Sequence, residues 1–210
     1  MLQKIKANLK KKLPGSEAWS KMAVKPKNRT IERAQQYNEL LSEEKLESLK
    51  KASVLIALFD KEGELYFPLI KRSKHEKNHP GQIALPGGSK EKNETFERTA
   101  LREAQEEVGL NSDKVKIIGK LTPIPVPVSD YLIYPYIGYI KEEPKWKICK
   151  EEVDELFILK LSELLKADNG YSEEWILRNK KWRVPIFKVM NQTIWGATAS
   201  VLSELIALTK

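Results

Sequence analysis

A single cysteine, Cys149, among 210 residues rules out an internal disulfide and fits a reducing cytosol. No apolar run approaches the ~20 residues that a membrane-spanning helix needs, so no stable membrane insertion is expected. The opening stretch MLQKIKANLKKKLPG lacks the long apolar core of a secretory signal. Internal repeats and low-complexity tracts are missing too. Aromatic residues are few, at 8%, and do not alternate with basic ones as on a surface that binds single strands, so no nucleic-acid partner is expected. These absences leave a cytoplasmic, soluble enzyme or binding domain.

What is present suits one globular domain with an extension: 41% hydrophobic and 31% charged residues. We expect residues 1–50 to form a helical extension and residues 51–210 the main domain. The formal charge of +8 has two explanations, an anionic macromolecule or membrane, and attraction of a phosphorylated small molecule. The second is favoured, with much of the charge serving solubility. Leu2, Ile5 and Leu9 fall at helical spacing on a basic background that ends in Lys10-Lys11-Lys12. A helix so short needs tertiary contacts, so it is expected to dock on the domain or on a second subunit. A homodimer is the favoured assembly. A mobile basic arm is the alternative.

Periodicity predicts a polar helix over Thr30 to Lys51, then a buried strand over Ala52 to Phe59, a turn at Asp60 to Gly63 and a return strand over Glu64 to Ile70. Pro68 marks an edge or a bulge in that strand. A basic loop spans Arg72 to Pro80, and a short strand at Gln82 to Leu85 runs into Pro86-Gly87-Gly88. A helix is predicted over Glu94 to Val108 and stopped by Gly109. Strands follow at Val115 to Leu121, Tyr131 to Ile140 and Asp154 to Leu159, with a proline-rich loop over Thr122 to Pro127. A short helix at Leu161 to Lys166, a hairpin within Trp182 to Trp195 and an amphipathic helix over Thr198 to Thr209 complete the chain. Mixed strands with a few helices argue for a layered α/β domain.

One segment carries more chemistry than the rest. Between Gly88 and Leu110, Glu94, Arg102, Glu103, Glu106 and Glu107 are set at fixed spacing. At ~100° per residue, Glu103, Glu106 and Glu107 share an arc of about 100°, beside an apolar arc of Ala100, Leu101, Ala104 and Val108. Three carboxylates so close repel one another. A hard divalent cation with oxygen ligands relieves that repulsion, and magnesium keeps waters that a phosphate can displace. A solvated acidic helix face is the competing account.

This segment resembles the Nudix box, G-x5-E-x7-R-E-U-x-E-E-x-G-U, where U is aliphatic. Gly88, Glu94, Arg102, Glu103, Glu106, Glu107, Gly109 and Leu110 match it, and Ala104 stands where a larger aliphatic is usual. The resemblance implies an α/β/α sandwich with a mixed sheet, Mg²⁺ or Mn²⁺ as cofactor, and hydrolysis of a nucleoside diphosphate linked to another group. It makes Glu103, Glu106 and Glu107 the metal ligands. A backbone carbonyl of the Gly87-Gly88 loop is a further candidate ligand. Glu94 and Arg102 orient the loop or balance charge.

Upstream, Leu69, Arg72, Ser73, Gly81, Pro86, Gly87 and Gly88 match a segment that is similar to that of coenzyme A pyrophosphatases, L-L-T-x-R-[SA]-x3-R-x3-G-x3-F-P-G-G. Pro68, Ile70, Lys77 and Leu85 depart from it, and lysine at position 77 lacks the planar fork of arginine. The late Trp195-Gly196-Ala197-Thr198 also looks like this subfamily. The implied substrate is coenzyme A or acyl-CoA, cleaved to 3′,5′-ADP and 4′-phosphopantetheine or its acyl form. ADP-ribose or a dinucleotide is the alternative substrate, and a nucleotide sensor without catalysis the alternative class. Arg72, Lys77, His79 and Gln82 are candidate phosphate contacts, against a solvated basic loop. Outside the box, Glu152 is a candidate metal ligand or base, and Glu103 a candidate base as well. Cys149 and Trp195 are expected in structural roles.

Overall fold

A computed structural model describes residues 1–26, 42–76, 78–168, 170–177 and 179–210. Most of the helix expected from Thr30, and Lys77, lie outside these residues. What is described of that helix is short: α3 covers Glu43–Ser48, with Ser42 as its N-cap. Lys50 and Lys51 already belong to a strand, because backbone pairing with Tyr131 and Leu132 captures them.

That strand, β2 (Lys50–Lys61), is the middle of an eight-stranded mixed sheet. It runs parallel to β8 (Tyr131–Ile140) over ten residue pairs. Its run of Leu55 to Phe59 is covered on both faces, the pattern expected of a parallel strand inside a layered domain. β3 (Glu64–Arg72) turns back against β2 and pairs along its other edge with β9 (Val153–Lys160). Pairing with β2 ends at Tyr66 and pairing with β4 (Ile83–Ala84) begins at Ile70. Pro68 falls in that gap, where a missing N–H is tolerated. β5 (Gly87–Ser89) pairs with β2, and β6 (Lys116–Lys120) forms an outer strand against β8. The proline-rich loop is not wholly irregular, since β7 (Ile124–Val126) pairs with β8.

Helices cover both faces. α4 (Phe96–Val108) starts at Thr95, whose Oγ1 accepts from the Arg98 amide at 3.2 Å. It ends at Gly109 in the left-handed region, φ 69°. Its Ala100, Ala104 and Val108 are fully buried against Leu55, Ala57 and Phe59 of β2. Alanine at position 104 keeps that helix close to the sheet.

The opposite face holds α5 (Leu161–Ala167) and α6 (Gly196–Ala207), together with α1 (Leu2–Asn8) and α2 (Ser16–Trp19). Ile5 of α1 has no exposed area and joins the same core as Leu202 and Leu205 of α6, so the apolar stripe docks on its own domain. Glu204 of α6, also fully buried, accepts from the amides of Gly15 and Thr122 and from Thr122 Oγ1. One carboxylate thereby joins three distant parts of the chain.

The hairpin expected within Trp182 to Trp195 is confined to the second half of that stretch, and another hairpin overlaps its start. β12 (Phe187–Val189) and β13 (Gln192–Ile194) flank Asn191, while Trp182 belongs to β11 (Lys180–Pro185), paired with β10 (Ser172–Leu177). β1 (Lys25–Pro26) adds a third strand to that second sheet.

Candidate active site

The motif helix divides its carboxylates between two environments. At mid-helix, Arg102 gathers a charge network. Its guanidinium donates to Glu94 at 2.9 and 3.3 Å, to Glu103 and Glu106 at 2.9 Å each, and to the Ser89 carbonyl at 3.1 Å. Glu94 also accepts from the Glu91 amide and Thr99 Oγ1. These donors, Arg102 foremost, hold the Glu94 carboxyl down to about 2. Glu94 and Arg102 therefore brace the loop between β5 and α4.

Beside this network, Glu103 and Glu107 meet Glu152, and one oxygen from each lies within 4.8 Å of the other two. Glu107 is 2% exposed. Its Oε2 accepts from the Gly87 amide at 2.8 Å, and its Oε1 stands 3.7 Å from Arg72. Burial pushes Glu107 up to about 8, against the pull of that amide and of Arg72 and with the push of Glu103 and Glu152. Burial raises Glu103 as well, opposed by Arg102. Glu106 stands apart, half in solvent at 53% exposure and held by Arg102.

Backbone contacts deliver these groups. A Cβ at Gly87 would strike Ser53 and Val54 of β2, and one at Gly88 would strike the Glu103 carboxylate. Only glycine lets this loop pass between sheet and helix. Glu152 arrives by a longer route. The Lys147 amide donates to the Val108 carbonyl at 3.0 Å and the Cys149 amide to the Glu107 carbonyl at 2.9 Å, laying the segment across the end of α4. A Cβ at Gly109 would come within 2.9 Å of Lys147, so this glycine both caps the helix and admits the crossing chain. The Cys149 carbonyl then accepts from Glu152 and Val153, and the Ser73 amide donates to the Glu152 carbonyl at 2.8 Å. Cys149 thus acts through its backbone, while its half-buried thiol donates to Glu151.

The basic loop leans on this cluster. Arg72 Nη2 pairs with Glu76 at 3.0 Å while Nη1 faces Glu107. Its backbone is closed against Gln82 and Gly81. His79 is half-buried with φ 55°, and burial together with Arg72 lowers its pKa, favouring the neutral ring. Gln82 is half-buried beside it. The straps through Ser73 and Cys149 have no signature in sequence spacing, because each is a contact between segments far apart in the chain, whereas the Arg72–Glu76 pair is local, four residues apart.

Known proteins bear on this geometry. A family model described as NUDIX domain matches residues 49–178. The chain belongs to the Nudix family. A protein named "Uncharacterized Nudix hydrolase NudL" from Enterobacter sp. is 34% identical over 157 residues, covering 74% of this chain and 81% of its own. "Nudix hydrolase 15, mitochondrial" from Arabidopsis thaliana is 34% identical over 170 residues, 76% of this chain and 59% of that protein. Among solved structures, the Nudix hydrolase RenU from M. smegmatis superposes with a TM-score of 0.52 at 17% identity, covering 76% of this chain and 85% of that one. A MutT protein from Methanosarcina mazei gives 0.50 at 17% identity, with 75% and 92% covered. At such identity the structural likeness speaks for the Nudix fold alone, an α/β/α arrangement around a mixed sheet.

Proposed function

We propose that this chain hydrolyses the diphosphate bond of coenzyme A or acyl-CoA. The observation that carries the hydrolytic part is the convergence of Glu103, Glu107 and Glu152 beside the Gly87-Gly88 loop. Within a Nudix family member, this oxygen-only donor set suits a hard divalent ion. Burial first, and then repulsion from neighbouring acids, raises Glu103 and Glu107 in spite of two flanking arginines, which supports the fit of a further positive charge. Glu103, Glu107 and Glu152 would hold Mg²⁺ or Mn²⁺, with Glu106 as an outer member of the set. When bound, the ion offsets phosphate charge and acidifies its water.

The chain's own groups supply the rest. The Arg102–Glu94 brace keeps the loop and Glu103 in place. Arg72 faces the cluster from the substrate loop and provides a cation for the diphosphate, with Lys77, His79 and Gln82 as further contacts. A water oxygen bonds to one phosphorus while the bridging P–O bond breaks, and the released proton passes to Glu103 or Glu152. The products are 3′,5′-ADP and 4′-phosphopantetheine, or its acyl form. The match of Leu69, Arg72, Ser73, Gly81, Pro86, Gly87 and Gly88 to the coenzyme A pyrophosphatase segment supports this substrate.

Product identification by mass spectrometry, using coenzyme A, dephospho-coenzyme A, ADP-ribose and dinucleotides with either metal, tests the reading. Highest kcat/KM on coenzyme A or an acyl-CoA is the expected result. Preference for ADP-ribose or a dinucleotide overturns the substrate but keeps the diphosphate chemistry. No turnover of any of them overturns both.

A further inference from the structure

Two acid-free segments of this chain carry eight of its lysines. Residues 1–16 hold Lys4, Lys6, Lys10, Lys11 and Lys12 with no acid, and residues 114–121 hold Lys114, Lys116 and Lys120 with no acid. They are not the whole basic excess, since residues 175–203 hold Arg178, Lys180, Lys181, Arg183 and Lys188, again with no acid. Glu17 and Asp113 bound the two segments in sequence.

The fold brings both segments together. Leu9, at the end of α1, fills the space over Gly119 of β6, where a Cβ would meet it at 2.9 Å. Lys6 lies 5.2 Å from the centre of the Tyr139 ring, and Tyr139 is the cross-strand partner of Lys116. Below, Ile5 is buried, and Asn8 Nδ2 donates to the Leu208 carbonyl at 2.9 Å. The lysines therefore stand on an anchored platform. All except Lys6 are exposed. This face lies along β6, whereas Glu152 precedes β9 at the opposite edge of the sheet. These eight lysines do not line the carboxylate cluster, whose neighbouring cations are Arg72 and Arg102.

We propose that the α1–β6 face is a docking surface for a layer of anionic lipid headgroups. Neither segment contains an arginine, the residue whose planar fork suits one defined phosphate. Neither contains an aromatic ring on which a nucleobase would stack. Point charges spread along a helix and a sheet edge match diffuse negative charge at a membrane surface. Met1, 55% exposed, adds an apolar tip among them.

Co-sedimentation of the full chain with phosphatidylcholine vesicles, with and without phosphatidylglycerol, tests the proposal. Binding is expected only with phosphatidylglycerol, and it should weaken roughly tenfold or more between about 0.1 M and 1 M salt. K10E/K11E/K12E and K116E/K120E should each weaken it by roughly tenfold or more. The charge-matched control K180E/K181E on β11 should bind like the wild type. All these lysines are exposed, so circular dichroism and Tm should stay unchanged. Equal binding to neutral vesicles, or equal loss in K180E/K181E, would overturn it. So would unchanged binding in K116E/K120E, which leaves only a basic tail, or retention of a single-stranded RNA probe without vesicle binding.

Discussion

Glu94 and Glu107 belong to one motif and live in opposite surroundings. Glu94 is surrounded by donors and sits at about 2, while Glu107 is sealed beneath the Gly87 loop and sits at about 8. Arg102 makes the difference, since it is spent on Glu94, Glu103 and Glu106 and does not reach Glu107. The two groups of carboxylates thus do different work. One is a neutralised brace that stabilises the loop by itself. The other is an under-neutralised acidic pocket, a state that costs stability until a cation arrives.

Removing the pocket's charges should produce the largest effect. Glu107→Gln or Glu103→Gln is expected to lower kcat by about 10³-fold, corresponding to several kcal/mol of lost charge stabilisation. Glu152→Gln should cost about 10²-fold, in the range of a lost base or ligand. Steady-state kinetics at saturating Mg²⁺ is the check, and near-normal kcat in both α4 variants would remove the pocket from the mechanism.

The pH dependence of stability separates Glu107 from Glu94 by sign. Between its ordinary 4.5 and about 8, folded Glu107 keeps a proton that the unfolded chain has lost, so stability should fall as pH rises through that window. Glu94 acts oppositely, contributing stability that is present above 4.5 and disappears as pH falls toward about 2. Urea unfolding in the presence of a chelator should show both limbs. Glu107→Gln should flatten the upper limb and Mg²⁺ should lift it. A metal-free protein equally stable at pH 5 and pH 8 contradicts the assignment.

Gly109→Ala probes how the pocket is assembled. Its left-handed backbone and the contact with Lys147 predict destabilisation of about 1–3 kcal/mol. Because that contact also carries the segment leading to Glu152, kcat should drop further than the Tm change explains at temperatures where the variant is folded. Unaltered kcat in the folded variant would show that Glu152 is placed by other contacts. The smallest effect is expected from Glu106→Gln. An exposed ion pair is worth about 0.2–1 kcal/mol, so stability should barely change, and kcat should fall by less than about tenfold.

Much of the fold was legible because its elements are locally coded. The run at Ala52 to Phe59, the return strand with its proline and the motif helix with its glycine stop all lie where periodicity puts them. The hairpin of β10 and β11 was missed because its strands are half-exposed and lack a clean apolar alternation. The helix reading over Thr30 to Lys51 ran too far at its end, since pairing with β8 outweighed the local preference of Lys50 and Lys51 for helix.

For the site, the sequence by itself determined that carboxylates at positions 103 and 107 stand one turn apart, and that glycines at 87, 88 and 109 leave room for close backbone approach. Helical spacing and the lack of a Cβ are properties that no distant residue can alter. Which carboxylates meet was decided only by the tertiary structure. The pair that holds Glu106 outside the cluster, with Arg102, is local, one turn along the same helix, whereas the Lys147 to Cys149 strap brings Glu152 inward from a distant segment. The same holds for the eight lysines, whose two segments are about a hundred residues apart in the chain and adjoin only because α1 packs over β6. Contacts between distant segments depend on the energy of the whole packed core, which local spacing does not encode.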